Sequence, residues 1–192
     1  MIKRYLQAPG IIWRYIIVKI FGLFYYDKKY RKSKWFNSPN EWGYKWAYID
    51  ICNRLKYKTN YDLPWPCSPL VDCGKNVIFD PDDLNNIAGG VGNYYQTFDA
   101  KIVIGKGTWI ARNVGIITSN HDLKNPNEHQ PGKDVIIGDC CWIGMNSIIL
   151  PGVVLGDHTV VGAGAVVTKS FPDGHCVIAG NPAKLVRLIE VD

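Results

Sequence analysis

The side chains with most chemistry to offer in this 192-residue chain are four histidines, six cysteines and a set of dispersed lysines and arginines. His121 and His129 share one polar stretch, Ser119-Asn120-His121-Asp122-Leu123-Lys124-Asn125-Pro126-Asn127-Glu128-His129-Gln130-Pro131-Gly132-Lys133. A histidine displayed on such a stretch is a candidate general base, because imidazole changes charge near neutral pH. Glu128 and His129 could orient it, whereas His158 and His175 lack such a setting and read as surface residues. Cys52, Cys67, Cys73, Cys140, Cys141 and Cys176 show no Cys-x-x-Cys spacing, so neither a zinc site nor a redox pair is expected. Lys169, Lys184 and Arg187 could each hold a phosphate through a charge-assisted contact, although any one alone is an ordinary solvated charge. A Walker or dinucleotide-type glycine loop is absent from the sequence.

The elements that must position these groups announce themselves by a period of six. Phe98, Ile104, Ile110 and Ile116 are evenly spaced, and Ile137, Ile143, Ile149, Leu155, Val161 and Val167 resume the series. A tiny residue often follows each aliphatic, as at Gly105, Ala111, Gly138, Gly144, Gly156 and Gly162. Another compact residue stands three positions beyond that: Thr108, Val114, Cys141, Ser147, Thr159 and Ala165. Six fits neither an amphipathic helix nor a hairpin meander, and a β-sandwich would show turn signals every ~8–12 residues. Short strands turned by tight corners, with one aliphatic per hexapeptide pointing inward, give a parallel β-helix whose stacked coils share one core. Between Ile116 and Ile137 the register slips by three, so about 15 residues around 119–134 must leave the prism. Long excursions from a rigid repeat scaffold usually carry function.

Net charge divides the chain. Residues 1–58 hold 13 lysines and arginines against Asp27, Glu41 and Asp50, a balance of +10, whereas residues 59–192 carry −5. Of 24 aromatic residues, 17 precede residue 66, while 16 of 19 glycines follow residue 73. The expectation is a helical, basic, aromatic-rich N-terminal segment over 1–70 and a β-helix over 71–189, entered through Val71 and Val77. Helices are expected over residues 11–21 and from Asn40 to Lys58, the second announced by Ser38-Pro39. Pro182 ends the prism in a turn, and Lys184 to Ile189 form a short terminal element. Residues 11–26 are nearly all apolar and lie between Lys3-Arg4 and Lys28-Lys29-Tyr30-Arg31-Lys32. Arg14 and Lys19 fall about 140° apart on a helical wheel, so a clean polar face is missing. The segment reads as a cap over the first coil or as packing between copies, with peripheral membrane contact compatible with either. No apolar run reaches the ~18 residues a spanning helix needs without an interrupting charge.

The hexapeptide series, the Ser119-Asn120-His121-Asp122 loop, Gly138-Asp139-Cys140-Cys141-Trp142-Ile143-Gly144, Gly162-Ala163-Gly164-Ala165-Val166-Val167-Thr168-Lys169 and Gly180-Asn181-Pro182-Ala183-Lys184 together resemble the hexapeptide-repeat acyltransferases. Among these, the maltose, galactoside and polysaccharide O-acetyltransferases are most similar. The resemblance implies a mainly β fold, the left-handed parallel β-helix with about 18 residues per coil, which departs from the usual right-handed crossover rule. It further implies a homotrimer that moves acetyl from acetyl-CoA to a saccharide hydroxyl within a ternary complex. His121 matches the family's base, and Asn93 and Asp122 match positions near the acceptor. Trp142, Met145, Ala163, Thr168 and Lys169 match the pantetheine and phosphate path, with Lys184 and Arg187 as further partners for the nucleotide phosphates. Around Asn93 the run Tyr94-Tyr95-Gln96-Thr97 departs from the family pattern. The resemblance also implies cytoplasmic surface-polysaccharide synthesis, with a place at the inner face of the membrane compatible.

Three other readings compete. A zinc-bearing β-helix such as a gamma-type carbonic anhydrase needs three converging histidines, and no pair here has the four-residue gap that family uses. An N-acetyltransferase of an amino sugar or nucleotide sugar would share nearly all these motifs. Basic residues interleaved with aromatics over 1–58 would suit a nucleic-acid binder, but a recognition signature is absent, so no nucleic-acid partner is expected.

Overall fold

The computed structural model describes residues 8–37 and 40–190. Lys3-Arg4 and the Ser38-Pro39 start signal therefore lie outside the described residues. Fourteen short strands wind among the described residues. They are β1 (Asp72–Cys73), β2 (Val77–Phe79), β3 (Tyr94–Gln96), β4 (Ile102–Ile104), β5 (Trp109–Ile110), β6 (Gly115–Ile117), β7 (Val135–Ile137), β8 (Trp142–Ile143), β9 (Ile148–Ile149), β10 (Val154–Leu155), β11 (Val160–Val161), β12 (Val166–Val167), β13 (Cys176–Ala179) and β14 (Lys184–Leu188). From β3 to β12 every third strand joins the same sheet, and the full orders are β1-β3-β6-β9-β12, β2-β4-β7-β10 and β5-β8-β11-β13-β14. All pairings are parallel except β13 with β14, where the chain turns back. Ile136 pairs with Val154, Trp142 with Val160 and Ile148 with Val166, so one full coil takes 18 residues.

The prism is filled from the expected positions. Ile104, Ile110, Ile116, Ile137, Ile143, Ile149, Leu155, Val161 and Val167 are all buried, as are the companions Thr108, Val114, Cys141, Ser147, Thr159 and Ala165. The polar companions meet their own needs at the corners. Ser147 Oγ donates to Gly144 O at 2.7 Å and Thr159 Oγ1 to Gly156 O at 2.6 Å. Such satisfied hydroxyls cost the core little, whereas an unpaired one would cost ~1–3 kcal/mol. Gly156 shows why the corners cannot carry larger residues: a Cβ there would lie 2.2 Å from Pro172 O.

Phe98 departs from the expectation. It is 48% exposed, and Tyr95 takes the inward position instead. The coil from Tyr94 to its partner Gly115 spans 21 residues rather than 18, and the extra length falls at the corner before β4. Phe98 sits on that corner, so its six-residue spacing from Ile104 was coincidental.

Upstream stand α1 (Ala8–Tyr25), α2 (Lys28–Arg31), a 3-10 turn (Lys34–Phe36) and α3 (Trp42–Tyr57), the last beginning two residues later than expected. α1 packs on α3 through buried Val18, Tyr26, Ala47 and Ile51, with the Tyr15 and Tyr44 rings 4.1 Å apart. Arg54, fully buried, donates from Nε to Asp50 at 2.8 Å and from Nη2 to Leu63 O and Trp65 O. That clamp delivers Tyr30 and Trp65 onto Phe79, with ring centroids 5.2 Å apart in both cases. The aromatic trio closes the open end of the first coil, whose exposed core would otherwise be a liability. In that coil α4 (Asn85–Ala88) replaces a strand of the third sheet, and Asn86 answers the free edge of β5: its Nδ2 donates to Thr108 O and its Oδ1 accepts from Ile110 N. Among the described residues, no helix is long and apolar enough to cross a membrane.

Candidate active site

Sheet pairing shows where the chain leaves the prism. Gly115 on β6 pairs with Ile148 on β9, 33 positions later, against 18 in the coils that follow. The surplus is the loop over 118–134, which leaves β6 at the corner between the first and second sheets. Its base is fastened by Gln96 on β3. Gln96 Oε1 accepts from Thr118 N at 2.9 Å and Ser119 N at 3.0 Å, and its Nε2 donates to Ser119 O. Lys133 N closes onto Thr118 O at 2.7 Å, and Ser119 Oγ donates to Gln130 O. Nothing local marks Gln96, since its partners lie 22 and 23 positions away. Only counting the coils would have placed it beside the loop.

Above that base, Gln130 N donates to Asn120 O and Asp122 N to Glu128 O, each at 2.8 Å, so His121 and His129 face one another as an antiparallel bridge. Their rings lie 4.3 Å apart, and the displaced Phe98 ring packs 4.7 Å beneath His129. His121 Nδ1 is 2.7 Å from Pro126 O. A carbonyl can only accept, so Nδ1 carries the hydrogen and Nε2 keeps its lone pair. The exposed His121 ring is thereby held in one orientation on the loop.

Asp122 and Asn93, the residues expected near the acceptor, both make hydrogen bonds within the chain. Asp122 Oδ1 accepts from the backbone N–H groups of Lys124 and Asn125, and these hold its carboxyl below the usual carboxylate range. It braces the loop turn that carries Pro126 back to His121. Asn93 is 2% exposed, with Nδ2 donating to Tyr95 Oη and Oδ1 accepting from Val114 N. Both amide ends are thus engaged within the chain, while Asn93 still borders a surface pocket with Tyr94, Asp72 and Gly92.

The expected donor-binding residues are all exposed, but they do not gather on one edge. Trp142 lies on the third sheet, with Met145 and Ala163 at the corners between that sheet and the first, where Gly164 N donates to Met145 O at 2.8 Å. This corner is open: a Cβ built on Gly164 would meet nothing within 4 Å. A thin, flexible chain such as pantetheine fits such an edge, where bulkier side chains would obstruct it. Arg187 belongs to the same ladder as Trp142, since Trp142 pairs with Val160, Val160 with Val177 and Val177 with Arg187. Three strand spacings put the guanidinium strand about 14 Å from Trp142. Lys184 stands on that same strand. Thr168 and Lys169 lie across the first sheet at its other corner, the one from which the loop emerges two coils earlier. Lys169 Nζ rests 5.6 Å over the Phe171 ring. One chain therefore offers His121 at one corner and Trp142, Met145 and Ala163 at another. Among the described residues, no group of three or more His, Cys, Asp or Glu side chains is placed to hold a metal ion.

Comparison with known proteins agrees with this architecture. The family model for bacterial transferase hexapeptide repeats (six repeats) matches residues 134–169. YJL218W of Saccharomyces cerevisiae, which carries an acetyltransferase name, is 38% identical over 133 residues, covering 62% of this chain and 67% of that protein. The galactoside O-acetyltransferase of Escherichia coli is 36% identical over 106 residues, covering 50% of this chain and 52% of the enzyme. The hexapeptide-repeat acetyltransferase VCA0836 of Vibrio cholerae, solved with acetyl-CoA, superposes with a TM-score of 0.50 at 25% identity over 64% of this chain and 67% of that one. The prism is accordingly a left-handed parallel β-helix. The chain spans between half and two thirds of the length of these relatives.

Proposed function

Because this chain belongs to the hexapeptide-repeat acetyltransferases, we propose that it transfers an acetyl group from acetyl-CoA to a saccharide hydroxyl, with His121 as the base. One observation carries the mechanism: Nδ1 of His121 is committed to Pro126 O, which leaves Nε2 free to accept a proton on an exposed loop. The acceptor hydroxyl attacks the thioester carbonyl while Nε2 takes its proton. The tetrahedral oxyanion collapses, the C–S bond breaks, and the thiolate leaves with the proton returned from His121, giving the acetyl ester and free CoA. His129 and Phe98 hold the imidazole plane, and Gln96 holds the root of the loop. They act as positioning residues.

For the donor, Trp142, Met145 and Ala163 would flank the pantetheine arm, and Lys184 and Arg187 would meet the nucleotide phosphates. Thr168 and Lys169 would act from the loop corner. Since base and pantetheine edge lie at separate corners of one chain, a homotrimer that sets the loop of one copy against the open corner of the next completes the reading. The saccharide acceptor is inferred from the galactoside O-acetyltransferase relative, and a place in surface-polysaccharide synthesis from an Escherichia coli relative named for lipopolysaccharide biosynthesis O-acetyl transfer.

Mass spectrometry of products formed from acetyl-CoA with nucleotide sugars, free sugars and lipid-linked oligosaccharides tests the reaction directly. His121→Ala should slow the chemical step by about 10²- to 10⁴-fold while CoA affinity stays near that of the parent. A variant that turns over at the parental rate would overturn the mechanism.

A further inference from the structure

α1 is apolar on two faces, and only one of them is covered. Toward α3 it presents Ile17, Val18 and Phe21. Away from α3 it presents Ile12, Trp13, Ile16, Ile20, Leu23 and Phe24, which are 57, 63, 40, 51, 62 and 82% exposed. At 100° per residue these six fall within an arc of about 120°, whose centre lies about 130° round the helix from that of Ile17, Val18 and Phe21. This resolves the missing polar face, because the second side of the helix is not turned to water but buried on α3. Single exposed apolar residues are ordinary, whereas a contiguous stripe of six on one helix marks a surface that meets something.

The surrounding charge identifies the occupant. Residues 8–40 hold Arg14, Lys19, Lys28, Lys29, Arg31, Lys32 and Lys34 against a single acid, Asp27. Lys19 flanks the stripe, and exposed Lys28 and Lys32 stand three and seven positions past the end of α1; none of the three forms an ion pair among the described residues. A second copy seated stripe to stripe in parallel would set these lysines against their own equivalents, and an antiparallel copy would bring no acid to them, since Asp27 is the single acid of the segment. An anionic bilayer satisfies both halves of the surface: its acyl boundary takes aliphatic and aromatic side chains to a depth of ~5–10 Å, and its headgroups take the lysines. α1 does not qualify as a membrane-crossing helix, so it would lie along the interface.

We infer that the outer face of α1 docks the protein on an anionic lipid surface, with Ile12, Trp13, Ile16, Ile20, Leu23 and Phe24 inserted and Lys19, Lys28 and Lys32 at headgroup level.

Flotation of the full chain with vesicles tests this. The chain should float with vesicles of phosphatidylcholine containing phosphatidylglycerol, and remain in solution with phosphatidylcholine alone. At about fivefold per interfacial cation, three lysines separate the two partition coefficients by on the order of 100-fold, and high salt should erase the gap. Both Ile16→Glu/Phe24→Glu and Lys28→Glu/Lys32→Glu should lose flotation, with helical circular dichroism and CoA affinity retained as the check on folding. Failure of the parental chain to float with anionic vesicles would overturn the proposal, as would undiminished flotation of the Glu variants. If the parent does not float and Ile16→Glu/Phe24→Glu instead lowers the mass measured by light scattering, the stripe is an interface between copies and the lipid assignment is wrong.

Discussion

The prism and the helical segment solve the problem of a stable interior in opposite ways. In the prism, nearly identical positions recur at a fixed step, so Ile143 and Val161, or Ile149 and Val167, do the same work one coil apart. Each position is supported by its neighbours above and below, and no single contact is unique. The helical segment relies on contacts used once: Tyr26 donating to Asp50, Asp50 paired with Arg54, and Arg54 reaching the carbonyls of Leu63 and Trp65. A repeat spreads its tolerance along an axis, whereas a unique clamp concentrates risk in one place. The extruded loop over 118–134 combines both, being a one-off structure rooted in a repetitive one.

The largest effect should come from the clamp. Asp50→Ala leaves the buried Arg54 charge without its partner and should cost about 3–5 kcal/mol, read as an early unfolding step in denaturant. If the loss is under about 1 kcal/mol, the clamp is not what holds the helices to the prism. Ile149→Ala, in the middle of the stack, should cost about 2–4 kcal/mol by opening a cavity between intact coils, with the helical transition unmoved.

The clamp also carries a pH signature. Burial pushes the Asp50 carboxyl up to about 6, with Arg54 and Tyr26 opposing the shift. A carboxyl whose folded pKa lies above its unfolded value contributes stability below about pH 4 and loses it as the pH rises through about 6. Measured against Asp50→Asn, the parental chain should therefore lose relative stability between pH 4 and 7, and a gain over that window would reverse the assignment. The smallest effect belongs to the loop root. Gln96→Ala should lower turnover roughly tenfold, move Tm by only a few degrees and leave CoA affinity unchanged, because it frees the loop without touching the prism.

Much of the prism was legible because its signal is translational. Nine of the inward aliphatics and the length of the extruded loop follow from spacing alone, since every coil presents the same positions again. Phe98 misled for the same reason: the period continues through it, but three surplus residues at one corner shift the true inward position to Tyr95. His121 was visible as a histidine in a polar loop, yet its tautomer was not, because that depends on the carbonyl of Pro126 closing a turn braced by Asp122. Gln96 and Asn93 could be distinguished only once coils were stacked. Both are amides beside β3, and burial makes one a strut of the core while pairing across coils makes the other the anchor of the loop. In the helical segment, composition disclosed helices and a basic balance, but not that one helix carries two apolar faces.

Whatever the number of residues in a coil, 18 in three of them and 21 or 33 in others, the stacked strands give the scaffold the property of a graduated ruler. Each coil advances the axis by one strand spacing, about 4.8 Å, without altering the cross-section. The distance from the corner that launches the loop to the strand bearing Lys184 and Arg187 is therefore counted in strand spacings, and inserting or removing one complete turn would change it by one graduation.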